Sequence, residues 1–497
     1  MLRSWFLTLA LVALPVQAEI KLPAIISDHM LLQQQTPIRI WGKAAPGEAI
    51  TLEMAGKQAA AAADAAGRWE AFLAPLDAGG PYELRVKGAN QITVHDILIG
   101  EVWVGSGQSN MELAMPRVNN ADQEIASANY PQIRLFTVRK KISETPLDDV
   151  QGSWDLCTPA TVKNFSAVGY FFSRYIHQQR HVAVGFIHTS WGGTPAEAWT
   201  TKQTLDTNPW LKNVNEEWAK VMADWPAANE KYQAQLAEYK VAAAAAKAEG
   251  KPAPAAPRAP NGAGTPNLPS GLWNGMVAPI TPYAIRGVLW YQGEQNANAA
   301  HAYPYRYLFR AMIEDWRREW AQGDFPFLFV QLANFQSNGS WPVLRESQTD
   351  ALSLRNTGMA VIDDIGESKD IHPKNKQDVG LRLALAAQAI AYGEKIEYSG
   401  PIFRQLTREG DSLRVWFDHT GSGMMSRGGD VLKGFEIAGA DGKFLPATAK
   451  IEGPSVILSA EGLKDPARVR YAWADDPIAT LANREGLQAS PFRADLK

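Results

Sequence analysis

Apolar residues change texture twice along the 497-residue chain. Between about residues 20 and 97 they alternate with polar ones in short runs. Examples are Ile38-Arg39-Ile40-Trp41-Gly42, Ala49-Ile50-Thr51-Leu52-Glu53-Met54 and Tyr82-Glu83-Leu84-Arg85-Val86, with Pro46-Gly47 and Gly79-Gly80-Pro81 between them. A period of two broken by turn residues predicts a small β-sandwich over 19–97. Beyond Gly100 the runs become continuously apolar: Val102-Trp103-Val104, Val182-Ala183-Val184-Gly185-Phe186-Ile187, Gly287-Val288-Leu289-Trp290-Tyr291, Phe327-Leu328-Phe329-Val330 and Met359-Ala360-Val361-Ile362. Helical spacing follows most of them. It predicts helices over 162–179, where Val168, Phe171, Phe172, Tyr175 and Ile176 share a face, and over 303–320 and 375–392. Buried strands alternating with helices indicate an α/β domain, 98–395, with a parallel sheet covered on both faces.

One stretch breaks that rhythm. Residues 215–250 read as a polar helix containing Val241-Ala242-Ala243-Ala244-Ala245-Ala246-Lys247, and Pro252-Ala253-Pro254-Ala255-Ala256-Pro257 follows. An insertion at about 205–265 is expected to be a helical arm and a flexible spacer. From about residue 396 alternation returns, as in Leu413-Arg414-Val415-Trp416-Phe417 and Val469-Arg470-Tyr471-Ala472-Trp473, and predicts a C-terminal β-domain over 396–497.

The first residues add a destination. Met1-Leu2-Arg3, an apolar run over 5–15 and Val16-Gln17-Ala18 have the form of a cleavable secretory signal over 1–18. No later run approaches the roughly 20 apolar residues of a spanning helix. The expectation is a soluble, exported protein, periplasmic or secreted. A net charge of −3 offers no long-range attraction for nucleic acid or an anionic membrane. The single cysteine, Cys157, cannot form an internal disulfide and reads as a small buried hydrophobe. Without CxxC or HExxH, and with eight scattered histidines, no metal and no organic cofactor is expected.

In parallel α/β sheets, reactive groups gather in loops beyond the carboxyl ends of the strands. Those loops here hold Gly105-Ser106-Gly107-Gln108-Ser109-Asn110-Met111, Thr189-Ser190-Trp191-Gly192-Gly193-Thr194, Gln292-Gly293-Glu294-Gln295-Asn296, and Asp363-Asp364-Ile365-Gly366 running on to Lys369-Asp370-Ile371-His372-Pro373. A serine, a glycine pair, an amide cluster and an Asp/His pair suffice for acyl transfer. A serine hydroxyl needs a base, histidine titrates near operating pH, and a tetrahedral oxyanion needs fixed N–H donors. The G-x-S-x-G elbow and the G-x-G-x-x-G dinucleotide turn both fit poorly.

The segment from Gly100-Glu101-Val102-Trp103 through Gly107-Gln108-Ser109-Asn110-Met111 resembles the nucleophile region of the sialate O-acetylesterase family, which belongs to the SGNH (GDSL-like) hydrolases. Ser190-Trp191-Gly192-Gly193-Thr194-Pro195-Ala196-Glu197-Ala198-Trp199, Leu272-Trp273-Asn274-Gly275-Met276, Trp290-Tyr291-Gln292-Gly293-Glu294-Gln295-Asn296 and Asp370-Ile371-His372-Pro373-Lys374-Asn375-Lys376 extend the resemblance, and Glu485-Gly486-Leu487-Gln488-Ala489-Ser490-Pro491-Phe492-Arg493 carries it to the C-terminus. It implies a flavodoxin-like three-layer catalytic domain and a cofactor-free carbohydrate O-acetylesterase. It also implies Ser109 as nucleophile and His372 as base. The oxyanion donors would be the Ser109 N–H, a glycine of the 192–193 pair (Gly193) and an amide of 292–296, with Gln292 preferred. Where related hydrolases carry D-x-x-H, this chain has Asp370-Ile371-His372. Asp370 is the favoured orienting carboxylate, with Asp363, Asp364 or none as alternatives. Gln108, Trp191, Asn274 and Glu294 are candidate substrate contacts. The implied partner is an O-acetylated sugar, either sialic acid or a xylan- or xyloglucan-type oligosaccharide. A non-catalytic carbohydrate-binding protein on the same fold is the alternative from another class.

Overall fold

The computed structural model describes residues 19–337 and 339–496; the proposed signal segment lies outside them. A sheet at its centre runs in the order Thr357–Ala360, Phe327–Val330, Gly287–Tyr291, Gln91–Gly107, Val184–Ser190, Tyr130–Thr137, Trp154–Cys157. All neighbours in this order are parallel except the last pair, which is antiparallel. The five apolar runs all contribute strands. Tyr130–Thr137 and the antiparallel edge strand Trp154–Cys157 join them, so the sheet is mixed rather than purely parallel.

Alternate residues of these strands face two cores. Val104, Val288, Trp290 and Phe329 point to the side covered by helices Tyr305–Trp320 and Trp341–Thr349. Trp103, Leu289, Leu328 and Val330 point to the side covered by Ala167–Arg180 and Lys376–Ile390. The helix predicted over 162–179 forms as Ala167–Arg180, five residues later at its start, because Val168, Phe171, Phe172 and Ile176 recur on one face and are all buried. Ser166 starts the helix by accepting from the Gly169 N–H at 3.1 Å, and its hydroxyl donates to Met111 O at 2.7 Å. That second bond fastens the helix to the turn that carries Ser109.

The strand Gln91–Gly107 is continuous through position 97, so the N-terminal strands feed directly into the centre of the sheet. Its first half pairs with Gly79–Lys87, and Leu98–Gly100 pair with Leu31–Gln33. Ile38–Lys43 and Arg68–Leu73 form a separate two-stranded sheet above. The apolar residues of this region, Ile40, Leu52 and Val86 among them, share one core with Trp199, Trp290 and Trp316. The C-terminal strands have a core of their own around Val415, Ile437, Val456 and Tyr471.

Helix Lys212–Ala248 spans about 55 Å at 1.5 Å per residue and buries none of its 37 residues. High helix propensity in its alanine-rich end sustains it without a packed face. A hydrogen bond between His301 Nε2 and Glu217, 2.8 Å, ties its base to the body of the protein. Residues 251–260 have no regular structure.

Candidate active site

Ser190, Gly107 and Tyr291 lie side by side in register at the carboxyl ends of neighbouring strands. The loops that follow therefore leave the sheet at one level. Gly107 bends the chain there at φ +129°, and a Cβ on it would sit 2.2 Å from Tyr291 O. Only glycine accommodates both. The Gln108 N–H donates to Tyr291 O and the Trp191 N–H to Gly107 O, which closes the three ends together.

Ser109 opens the short helix Ser109–Glu112 and is half-buried. Its hydroxyl lies 2.9 Å from His372 Nε2, across 263 residues of sequence. On the far side of the imidazole, Nδ1 stands 3.4 Å from Asp370 Oδ1. The segment around Asp370 is a turn rather than an extended strand. The carboxylate is steadied by the His372 N–H, which donates to the same oxygen at 2.9 Å. That bond, first among its partners, lowers the Asp370 pKa.

The alternative carboxylates are placed elsewhere. Asp364 accepts a bidentate pair from Arg382 at 2.6 and 2.7 Å and a further bond from Arg427. Asp363 is buried without a hydrogen-bond partner among the described residues, and burial pushes its pKa up to about 7.

The glycine turn packs on the serine: a Cβ on Gly192 would be 3.2 Å from Ser109 Cβ. The Gly192 N–H is occupied by Glu112 Oε2 at 2.7 Å. Gly193, exposed and at φ +75°, has an N–H with no acceptor among the described residues. The N–H of Ser109, in the first turn of its helix, is likewise free.

Gln292 departs from expectation. Its side chain is fully buried; Nε2 donates to Thr194 O at 3.2 Å and Asn296 Oδ1 at 2.7 Å, and Oε1 accepts from Tyr305. Both amide hydrogens are committed, so it does not serve as an oxyanion donor here. Asn296 is committed too, donating to both oxygens of Glu197. Gln295 is the exposed amide of the loop.

Three of the four candidate substrate contacts also bond to the surrounding loops. Gln108 Oε1 accepts from the Gly293 and Gln295 N–H groups. Asn274 Nδ2 donates to Ser143 O at 3.1 Å, holding the 141–147 loop. Glu294 Oε1 accepts from Asn110 at 2.6 Å. Trp191 differs: it is half-buried at the rim, with Lys140 Nζ 5.3 Å from its ring centre.

Sequence reasoning missed Asn110, Glu112 and Lys376. Asn110 and Lys376 lie within the quoted motifs and Glu112 directly after one, but nothing in their type or spacing marks them as buried anchors.

A serine held against an imidazole beside free N–H groups, at the carboxyl edge of a parallel sheet, is the equipment of a serine ester hydrolase. The chain is 31% identical to a sialate O-acetylesterase of Mus musculus, which it matches over 95% of its own length and 93% of the relative's. A sialate O-acetylesterase of Homo sapiens is 31% identical over 76% of this chain and 72% of its own. The solved structure of a carbohydrate acetylesterase from Xanthomonas citri is similar at a TM-score of 0.82 and 39% identity, spanning 96% of this chain and 100% of that one. Residues 272–391 match the family described as carbohydrate esterase, sialic acid-specific acetylesterase. The chain belongs to the sialate O-acetylesterase family.

Proposed function

We propose that this protein hydrolyses O-acetyl esters of sugars through an acetyl-serine intermediate, with Ser109 as nucleophile, His372 as general base and Asp370 as orienting carboxylate. The observation that carries the reading is the 2.9 Å approach of Ser109 Oγ to His372 Nε2. Ser109 attacks the acetyl carbonyl while Nε2 takes its proton. The oxyanion faces the N–H groups of Ser109 and Gly193. Collapse breaks the bond to the sugar oxygen, which receives the proton from Nε2. Water then attacks acetyl-Ser109, again through Nε2, and acetate leaves.

Acetylated sialic acid is the first substrate to test, because it is named in the relatives. The similar solved structure at 39% identity is a carbohydrate acetylesterase whose name specifies no sugar, so acetylated xylan- or xyloglucan-type oligosaccharides are the second class to test. Acetate release across acetylated sialic acids, xylans and xyloglucan fragments separates them. Turnover confined to one panel member assigns the class; release from none overturns the esterase reading.

We further propose β-domains at 19–97 and 396–497 flanking the catalytic unit, and export after removal of residues 1–18. Among the described residues no helix is long and apolar enough to cross a membrane. N-terminal sequencing of the native protein is expected to start near Glu19; a terminus at Met1 would refute export by cleavage.

A further inference from the structure

Beside the two reacting residues lies a buried polar cluster to which the esterase reading gives no role. Asn110 directly follows Ser109, and Ile371 directly precedes His372. The Asn110 amide donates one hydrogen to Ile371 O at 2.9 Å and the other to Glu294 Oε1 at 2.6 Å. Its carbonyl oxygen accepts from Lys376 Nζ at 2.6 Å. Asn110 and Lys376 are essentially inaccessible, and the Lys376 ammonium sits 5.0 Å from the centre of the Tyr291 ring.

These partners leave the amide one orientation. An ammonium only donates, whereas a carboxylate and a carbonyl only accept. A flipped amide would set its NH₂ against the ammonium and its oxygen against two acceptors. Burying a lysine is costly, and burial lowers the Lys376 pKa to about 7. Burial likewise raises that of Glu294, whose Oε2 has no partner among the described residues. Such a cost is hard to account for on a merely packed helix end.

We propose that Asn110 is a positioning residue: its bond to Ile371 O couples the nucleophile turn to the base loop and sets the Ser109–His372 approach, while Lys376 and Glu294 fix the direction its amide faces. The proposal rests on the serine-esterase reading above. No other side chain bridges the neighbours of both reacting residues among the described contacts. Asn110 does not reach the reacting atoms itself.

The charged groups facing the pair come from several elements. Arg117, Asp370 and Lys376 act on His372, and Glu294, Asp370, Arg117 and Glu367 act on Lys376. Lys376 disfavours the imidazolium. Removing its charge therefore moves the acid limb of kcat/KM to higher pH, which a purely structural contact would not do.

The test is the near-isosteric Asn110→Asp, assayed with p-nitrophenyl acetate and with a fluorophosphonate that labels the nucleophilic serine. The substitution turns two attractive contacts into repulsions without changing size. Misplacement of about 1 Å costs on the order of 10²-fold, so kcat and the labelling rate are expected to fall together by about that factor, with KM unchanged. Lys376→Met is the second variant, expected to lower kcat and shift the acid limb upward while still folding by circular dichroism. Folded Asn110→Asp with parental kcat and labelling rate overturns the proposal. If that variant does not fold, Lys376→Met with an unmoved acid limb and parental labelling overturns it instead. Failure of the parent protein to be labelled at Ser109 would instead sink the underlying esterase reading.

Discussion

The backbone N–H of Gly192 donates to Glu112 Oε2 at 2.7 Å, joining the glycine turn to the helical turn that begins at Ser109. The other oxygen of Glu112 accepts from Lys140 Nζ at 2.5 Å, so the carboxylate next to the oxyanion position is balanced by an ammonium. With the Gly192 N–H occupied, the Gly193 N–H is the proposed oxyanion donor of this turn. Removal of a whole oxyanion donor costs roughly 10²–10³-fold in kcat. Glu112→Ala loosens a donor without removing it, and is expected to cost on the order of 10-fold in kcat with KM little changed. Steady-state kinetics on p-nitrophenyl acetate measure this; a parental kcat would mean that the turn holds itself.

The pH profile follows from the surroundings of His372. Burial lowers its pKa, Arg117 adds to that, and Asp370 opposes it. The proposed base is the neutral imidazole, so activity is expected to be retained above the folded-state value and lost as pH falls through it. The acid limb of kcat/KM is expected below the ordinary histidine value of about 6.5. Arg117→Ala should move that limb upward, and Asp370→Ala should move it downward. A limb at the ordinary value, unmoved by Arg117→Ala, would contradict the electrostatic account.

Three aspartates separate by function. Asp370→Asn can hold the imidazole in the wrong tautomer, an effect of about 10⁴-fold in serine proteases. The 3.4 Å contact here is longer and more exposed, so a smaller but clear loss of kcat is expected. Asp364→Asn is expected to leave kcat near normal in the folded protein while destabilising it by roughly 3–5 kcal/mol, because it strands buried Arg382. Chemical denaturation and kinetics on the same preparations check both outcomes. A large kcat loss from Asp364→Asn with unchanged stability would reverse the assignment.

Asp363 gives stability a pH dependence of its own. Its folded-state pKa is raised to about 7 by burial, while an unfolded carboxyl titrates at about 3.9. The folded state holds the proton longer, so this group's contribution to stability declines as pH rises from about 4 to about 7. Asp363→Asn removes that slope, and Tm is expected to rise more at about pH 8 than at about pH 5. Equal shifts at both pH values would show that Asp363 does not titrate in this range.

Much of the architecture was legible because burial on both faces makes a strand continuously apolar, and each of the five apolar runs is a strand. Tyr130–Thr137 escaped notice because it reads Tyr-Pro-Gln-Ile-Arg-Leu-Phe-Thr, with a proline and an arginine inside. The structure shows why the arginine is tolerated: Arg134 is buried but pairs with both oxygens of Asp96. That Ser109 and His372 would come together was legible from their loops' place after strand ends, whereas preferring Asp370 to Asp363 and Asp364 rested on the family resemblance. The roles of Gln292, Asn274 and Glu294 were not, because a polar side chain near a motif can turn toward substrate or toward the scaffold, and sequence does not say which. Lys376 closes a quoted motif without any role in the sequence reading; only packing against Tyr291 and Asn110 reveals it as an anchor.

The central claim is that an acetyl group passes through Ser109. Mass spectrometry of protein quenched during turnover of an acetylated sugar tests it directly, comparing the parent with Ser109→Ala. The account predicts one added acetyl mass on the peptide containing Ser109 in the parent. It predicts none in Ser109→Ala, whose turnover should fall by roughly 10³-fold or more. A variant that keeps near-parental turnover, or an acetyl group found on another residue, would contradict it.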